Sequence, residues 1–155
     1  MRIATLCFLM DGDKILLAKK KRGFGVGKWN GVGGKMQEEE TIEQAVLREA
    51  KEEIGIDSCE DRLEKAGSIK FYFNGKEDWN QEVHIYALKK WEGEPQESEE
   101  MSPKWFFHHE MPFDEMWADD RHWMPYFLSG KRFEGEFYFT EDGSVIEKFD
   151  IREIF

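Results

Sequence analysis

The chain has 155 residues, which is enough for one domain with a sizeable core but short for two. A hydrophobic share of 40% and an aromatic share of 15% exclude a disordered protein. The formal net charge of −11 argues against broad binding to duplex nucleic acid or to an anionic membrane. We therefore expect a single domain over residues 1–155 that acts on a small molecule as a monomer.

The N-terminal part of the chain has the pattern of short strands and loops. Two apolar runs, residues 3–10 and 14–18, each predict a buried strand, and an Asp-Gly-Asp turn separates them. The first run is about half the length needed to span a bilayer, and Cys7 and Cys59 lack metal-site spacing. We therefore expect free thiols and a cytoplasmic protein. Six glycines in residues 19–35 favour loop and irregular strand.

A capping box predicts the start of the first helix. Gln44 follows Thr41 by three residues, which allows each side chain to bond the other residue's backbone N–H. The helical pattern then runs over residues 42–54, and Gly55 is placed to end it.

The rest of the chain predicts strands on both sides of a second helix. Aromatic and β-branched residues mark the strands, and an Asp-Gly pair marks the turn of the last hairpin. The predicted elements are strands at residues 68–74, 82–91 and 103–108, a helix at 118–130 and a hairpin over 136–151. The fold class is therefore α+β.

The first helix carries glutamates on its apolar face. At 100° per residue, Glu49 and Glu53 fall inside the stripe that should face the core, and Glu52 lies at its flank. Adjacent buried carboxylates repel each other and need a cation, and oxygen ligands suit a hard divalent ion such as Mg²⁺. The alternative is a helix end at the rim of the core, where the glutamates reach water. The wheel leaves both interpretations open.

The spacing around these glutamates resembles the Nudix box, G-x5-E-x7-R-E-U-x-E-E-x-G-U, where U is apolar. The nine matching positions are Gly34, Glu40, Arg48, Glu49, Ala50, Glu52, Glu53, Gly55 and Ile56. The resemblance implies a Nudix fold, a mixed β-sheet between helices in an α/β/α sandwich. It also implies hydrolysis of a nucleoside diphosphate derivative with Mg²⁺, or Mn²⁺, as the cofactor.

The same resemblance implies roles for individual residues. Arg48 would orient a neighbouring glutamate, and Glu53 would hold metal and help to activate water. Glu40 would support the site. The implied metal-binding set is Gly33 and Gly34 through their backbones, and Glu49, Glu52, Glu53 and Glu100 through their carboxylates.

Three further segments, residues 20–35, 97–101 and 113–120, resemble the animal MutT homologues, which hydrolyse oxidised purine nucleoside triphosphates such as 8-oxo-dGTP. The resemblance implies a base pocket formed by Asn30, Trp117, Asp119 and Asp120 and lined by Phe24, Thr5, Phe71 and Met101. We add Lys20 as an electrostatic contact for the triphosphate.

The chemistry of these pocket residues suits a purine. Trp117 offers a stacking face, and the Asn30 amide both donates and accepts hydrogen bonds. Adjacent carboxyls at Asp119 and Asp120 favour one protonated and one ionised group, which would match more than one purine tautomer. The alternatives are a core or lid role for Trp117 and a helix N-terminal charge pair at the two aspartates.

The predicted activity is Mg²⁺-dependent hydrolysis of an oxidised purine nucleoside triphosphate to the monophosphate and pyrophosphate, which cleans the nucleotide pool. Rival substrates within the same chemistry are ordinary deoxynucleoside triphosphates, dinucleoside polyphosphates and nucleotide sugars. A rival of another class is a module that senses a nucleotide without cleaving it. The complete set of box glutamates favours an enzyme.

Overall fold

The computed structural model describes residues 1–140 and 142–155. Within these ranges the chain forms eight strands and two α-helices. In chain order they are β1 (Arg2–Asp11), β2 (Lys14–Lys20), β3 (Trp29–Asn30), α1 (Ile42–Ile54), β4 (Leu63–Phe73), β5 (Gln81–Leu88), β6 (Met101–Phe107), α2 (Asp120–Leu128), β7 (Phe133–Phe139) and β8 (Ile146–Glu153). No helix in the described ranges is long and apolar enough to cross a membrane.

The strands form a mixed sheet in the order β3-β2-β1-β5-β4-β7-β8, with β6 pairing β2. Strand β1 runs parallel to β5, and β4 runs parallel to β7. Strands β1 and β2 pair only beside their turn, from Met10 with Ile15 to Asp11 with Lys14. Strand β2 pairs with β6 along the whole length of β2, from Lys14 with Phe107 to Lys20 with Met101. The free edge of β1 is therefore open to the loop that follows β3.

A hydrophobic core lies on each face of the sheet, which confirms the predicted α/β/α sandwich. Alternate residues of β1 point to opposite faces, as a strand requires, so Phe8 enters one core and Cys7 the other. Helix α2 contributes Trp123 to the first core, and α1 contributes Val46 to the second. Each large apolar side chain that is fully buried contributes about 1.5–3 kcal/mol.

Helix α1 begins and ends as its sequence predicts. The Thr41 hydroxyl accepts from the Gln44 N–H at 3.1 Å, and the Gln44 amide oxygen accepts from the Thr41 N–H at 2.9 Å. Gly55 ends the helix at φ 73°, a left-handed conformation that glycine adopts without strain. These local signals fix the position of the box glutamates along the helix axis.

Strands β4 and β6 are longer than the sequence predicts, whereas β5 ends at Leu88 and is shorter than the predicted strand at residues 82–91. Strand β4 begins at Leu63 and β6 at Met101, because pairing with neighbouring strands extends both beyond their apolar runs. The predicted last hairpin is present as β7 and β8, with Gly143 at φ 74° in its turn. Its residue Glu141 lies outside the described ranges.

Candidate active site

The loop after β3 lies directly against β1 and α1. The Thr5 N–H donates to the Gly34 carbonyl at 2.8 Å, which fixes the loop on the free edge of β1. A Cβ at Gly33 would lie 1.9 Å from the Thr5 carbonyl oxygen, and one at Gly34 would lie 2.6 Å from Glu49 Oε1. Residue 33 therefore needs to be glycine so that the backbone can approach so closely, whereas a Cβ at position 34 would displace the Glu49 carboxylate.

Glu53 is buried at the centre of this arrangement, with 7% of its surface exposed. Its Oε2 accepts from the Gly33 N–H at 3.2 Å. Burial, and then the charge of Glu49, raise the pKa of Glu53 to about 8, while the Gly33 bond and the charge of Lys20 act in the opposite direction. The apolar-face position predicted from the helical wheel is thus confirmed for Glu53.

Arg48 joins several of the acidic side chains. Its guanidinium donates to both oxygens of Glu40 at 2.8 and 3.0 Å, to Glu49 at 3.0 Å and to Glu52 at 3.2 Å. It also donates to the Lys35 carbonyl at 3.2 Å. The hydrogen bonds from Arg48 lower the pKa of Glu40, and the Arg48 pKa is raised in return, mainly by its bond to Glu40. The planar donor fork holds the carboxylates in fixed directions.

The carboxylates proposed as metal ligands occupy different surroundings. Glu49 and Glu53 lie side by side, Glu52 is exposed beside Arg48, and Glu100 lies 3.6 Å from Arg22. In the described ranges, no three His, Cys, Asp or Glu side chains already converge as metal ligands. The residues still fit a hard divalent cation, because every donor atom is an oxygen. In addition, Glu49 and the buried Glu53 are adjacent, and the cations around them do not fully balance the charge of two carboxylates.

The predicted stacking residue, Trp117, lies beneath the glycine-rich loop that joins β2 to β3. The Phe24 ring stacks on it at a centroid distance of 5.2 Å, and Lys28 Nζ lies 5.1 Å from the indole centroid. A Cβ at Gly25 would lie 3.0 Å from the indole. The structure therefore brings Phe24 and Trp117 together, and it adds a cation that the sequence did not indicate.

The two predicted aspartates form a buried pair at the start of α2. Asp119 has 7% and Asp120 has 2% of its surface exposed. Burial raises the pKa of both carboxyls, and the charge of Asp119 raises that of Asp120 further. A solvated charge pair at a helix N-terminus would be exposed, so burial favours the pocket interpretation over that alternative.

The remaining predicted pocket residues are distributed around this region. Asn30 pairs with β2 at the sheet edge, and its Oδ1 accepts from the Gly31 N–H at 2.9 Å. Thr5 is buried beside Gly34, at 3.4 Å from Oγ1 to the carbonyl oxygen. Phe71 lies in the α2 core and Met101 in the α1 core, so these two residues belong to different clusters.

Trp123 and Lys28 touch the predicted pocket residues but were missed by sequence reasoning. Trp123 Nε1 donates to Asp119 Oδ2 at 2.8 Å within the buried interior. The i, i+4 spacing of Asp119 and Trp123 on a helix was the available signal. No sequence signal indicates Lys28, because its contact with Trp117 joins two distant segments.

The fold and the box residues are those of a hydrolase of the Nudix type, and comparison with known proteins agrees. Residues 1–127 match the NUDIX domain family, and the chain belongs to that family. Two curated relatives are oxidized purine nucleoside triphosphate hydrolases. The one from Danio rerio is 48% identical over 94% of this chain and 92% of its own length. The one from Mus musculus is 44% identical over 99% and 96%.

A solved structure confirms the fold class. The MutT protein of Bacillus halodurans superposes with a TM-score of 0.84 at 28% identity, and the match covers 97% of each chain. This similarity extends over both cores, including the last hairpin.

Proposed function

We propose that this chain is a Mg²⁺-dependent pyrophosphohydrolase that converts oxidised purine nucleoside triphosphates, such as 8-oxo-dGTP, to the monophosphate and pyrophosphate. The role would be the removal of damaged nucleotides from the pool. The observation that carries the proposal is the presence of two acidic pairs, the buried Glu53 beside the partly buried Glu49 at the box helix and the buried Asp119 and Asp120 at the predicted base pocket. The names of the two curated relatives support the substrate class.

The box residues are suited to the phosphate end of the substrate. A bound divalent cation neutralises phosphate charge and lowers the pKa of water. Glu49 and Glu53 would hold it, with Glu52 and Glu100 turning inward to complete the set. Arg48 holds Glu49 in place, and the Gly33 N–H holds Glu53. The Gly33 and Gly34 backbone would contribute as well.

Lys20 also belongs to the phosphate end of the site, since its positive charge lowers the pKa of Glu53. A cation at that position would attract the triphosphate without coordinating the metal. Mn²⁺ shares the preference for oxygen ligands, so we expect it to replace Mg²⁺.

The base end would be recognised by Trp117 and the aspartate pair. Trp117 would stack on the purine, Asn30 would read one edge, and Asp119 and Asp120 would share one proton and present a donor and an acceptor. Phe24, Thr5, Phe71 and Met101 would line the pocket. We further propose that residues 1–155 form one domain that acts in the cytoplasm as a monomer without duplex nucleic acid.

A substrate panel tests the activity. The protein is incubated with Mg²⁺ and 8-oxo-dGTP, 2-hydroxy-dATP, dGTP, ATP, ADP-ribose or a diadenosine polyphosphate, and products are separated by chromatography. We expect release of pyrophosphate and the highest kcat/KM on the two oxidised purines. Equal rates on dGTP and 8-oxo-dGTP would refute the preference for damaged bases. Absence of turnover on every compound, with binding retained, would indicate a nucleotide sensor.

Variants of the box test the site. Glu53→Gln should lower kcat by orders of magnitude, while Glu38→Gln, a change at an exposed residue that the box pattern does not specify, should leave it unchanged. Normal turnover of the Glu53 variant would refute its proposed role.

A further inference from the structure

The glycine-rich loop over residues 23–28 is closed by hydrogen bonds of its own backbone. The Lys28 N–H donates to the Gly25 carbonyl at 3.0 Å. At the base of the loop, the Gly27 N–H donates to the Lys20 carbonyl at 2.8 Å, and the Lys20 N–H donates to the Lys28 carbonyl at 3.1 Å. Three glycines of the loop have φ between 81° and 84°, a left-handed conformation that favours glycine. The loop backbone is therefore ordered without a bound substrate.

Two side chains of this loop contact the indole of Trp117. Phe24 stacks its ring on the indole, and Lys28 Nζ lies 5.1 Å from the indole centroid, a distance at which the ring attracts a cation. Among residues 1–140 and 142–155, no carboxylate forms a salt bridge with Lys28, whereas Lys21 of the same segment pairs with Glu97. The indole is therefore the group that holds the Lys28 ammonium in place.

The orientation of Trp117 depends on these contacts. Its indole is only partly buried, so part of the ring surface is open to a base. Trp123 is fixed by the hydrogen bond from its N–H to Asp119, but the Trp117 indole donates no such bond within the described part of the chain. A partly exposed side chain without a hydrogen bond can occupy several rotamers. A cation held over the ring favours one of them before the substrate arrives, which reduces the cost of ordering the ring on binding.

We infer that Lys28 is a positioning residue that holds the Trp117 indole in the orientation in which it stacks on the purine. This inference rests on the proposed function, since it concerns the proposed base pocket. Lys28 acts through the indole and not on the reacting phosphates. Its contribution is the same in the bound substrate and in the transition state, so it affects KM and not kcat.

Substitutions at position 28 test this role. Lys28→Met keeps an unbranched side chain of similar length and removes the charge, and Lys28→Arg keeps a cation over the ring. The KM for 8-oxo-dGTP should rise about threefold in Lys28→Met at unchanged kcat, and it should stay at the parental value in Lys28→Arg. An unchanged KM in Lys28→Met would overturn the inference.

The matched control is Lys19→Met. It removes the same charge from a lysine–tryptophan pair that is not part of the proposed pocket, in which Lys19 Nζ lies 5.7 Å from the Trp29 centroid. This control should keep the parental KM. An equal rise of KM in Lys19→Met and Lys28→Met would show a general effect of charge on the triphosphate and would overturn the inference.

A double-mutant cycle separates positioning from direct contact with the substrate. In the background of Trp117→Leu, Lys28→Met should have no further effect on KM, because the ring that Lys28 positions is absent. A rise of about threefold in this background would mean that Lys28 contacts the substrate itself, and it would overturn the inference.

A binding measurement without turnover distinguishes the inference from the proposed function. By calorimetry, the affinity of the metal-free protein for 8-oxo-dGMP should fall about threefold in Lys28→Met and stay at the parental value in Lys28→Arg. If these affinities change as expected but the substrate panel shows no turnover, the inference is supported and only the proposed activity is overturned. Equal affinities in the parent protein and Lys28→Met would overturn the inference even with full turnover.

Discussion

Glu53→Gln should change the pH dependence of stability as well as activity. Glu53 is nearly buried, and in the metal-free protein its pKa is raised to about 8, first by burial and then by Glu49. Glutamine has almost the same shape, still accepts from the Gly33 N–H and carries no titrating proton. The substitution therefore isolates the effect of one proton on the folded state.

The sign and size follow from linkage. In the unfolded chain Glu53 has a pKa near its ordinary value of 4.5 and is ionised at pH 6, whereas in the folded protein it stays protonated until about pH 8. The folded state binds more protons in this window, so stability falls as pH rises. For these two pKa values the loss between pH 6 and pH 8 is about 2 kcal/mol. The raised pKa values of Asp119 and Asp120 also make stability fall as pH rises. This contribution is the same in both proteins, so it cancels when the stability of Glu53→Gln is compared with that of the parent protein.

Urea unfolding of the metal-free proteins at pH 6, 7 and 8 measures this directly. We expect the parent protein to lose about 2 kcal/mol more than Glu53→Gln across the window. Glu52→Gln, a change at an exposed glutamate of the same helix, should keep the parental slope. Added Mg²⁺ should restore stability at pH 8 in the parent protein and not in Glu53→Gln. Equal slopes in all three proteins would refute the assignment of a buried, protonated Glu53.

Three further substitutions test the surroundings of the site. Gly33→Ala should destabilise by on the order of 3 kcal/mol in urea, because its Cβ would overlap the Thr5 carbonyl; a change below about 1 kcal/mol would contradict this. Glu39→Gly should raise the unfolding free energy by about 0.5 kcal/mol, because Glu39 has φ 65°, a conformation that glycine adopts without strain. The control Glu38→Gly should lower the unfolding free energy, and equal effects of the two changes would exclude backbone strain at Glu39. Arg48→Lys should raise the Mg²⁺ concentration for half-maximal rate at least about tenfold, since it breaks the donor fork, and an unchanged value would exclude an orienting role.

The sequence predicted the parts of the site that depend on local spacing. The ends of α1 follow from Thr41, Gln44 and Gly55, and a helical wheel placed Glu53 on the apolar face but left open whether it is buried or reaches water. Both are set by residues within a few turns of one helix. The burial of Asp119 and Asp120 was harder to predict, because it depends on the core that forms around α2.

Features that join distant segments were not predictable from the pattern. The pairing of β6 with β2 places Met101 beside Lys20, and the loop that joins β2 to β3 brings Lys28 onto Trp117. A pattern of apolar residues gives the strand but not its partner, since strand register is decided by the whole sheet. The same limitation explains why β4 and β6 begin earlier than predicted.

The two acidic pairs solve the same physical problem in different ways. Each pair places at least one carboxyl, Glu53 in the first and both aspartates in the second, where water screens its charge poorly. At the box helix the surrounding donors include charged groups and the acids are all oxygen ligands, so a divalent cation is the natural partner. At α2 the donor is a neutral indole N–H in a closed core, and burial raises the pKa of both carboxyls, which favours their protonated forms. A nucleoside triphosphate needs both solutions, since its phosphates require a cation and its base requires directed hydrogen bonds.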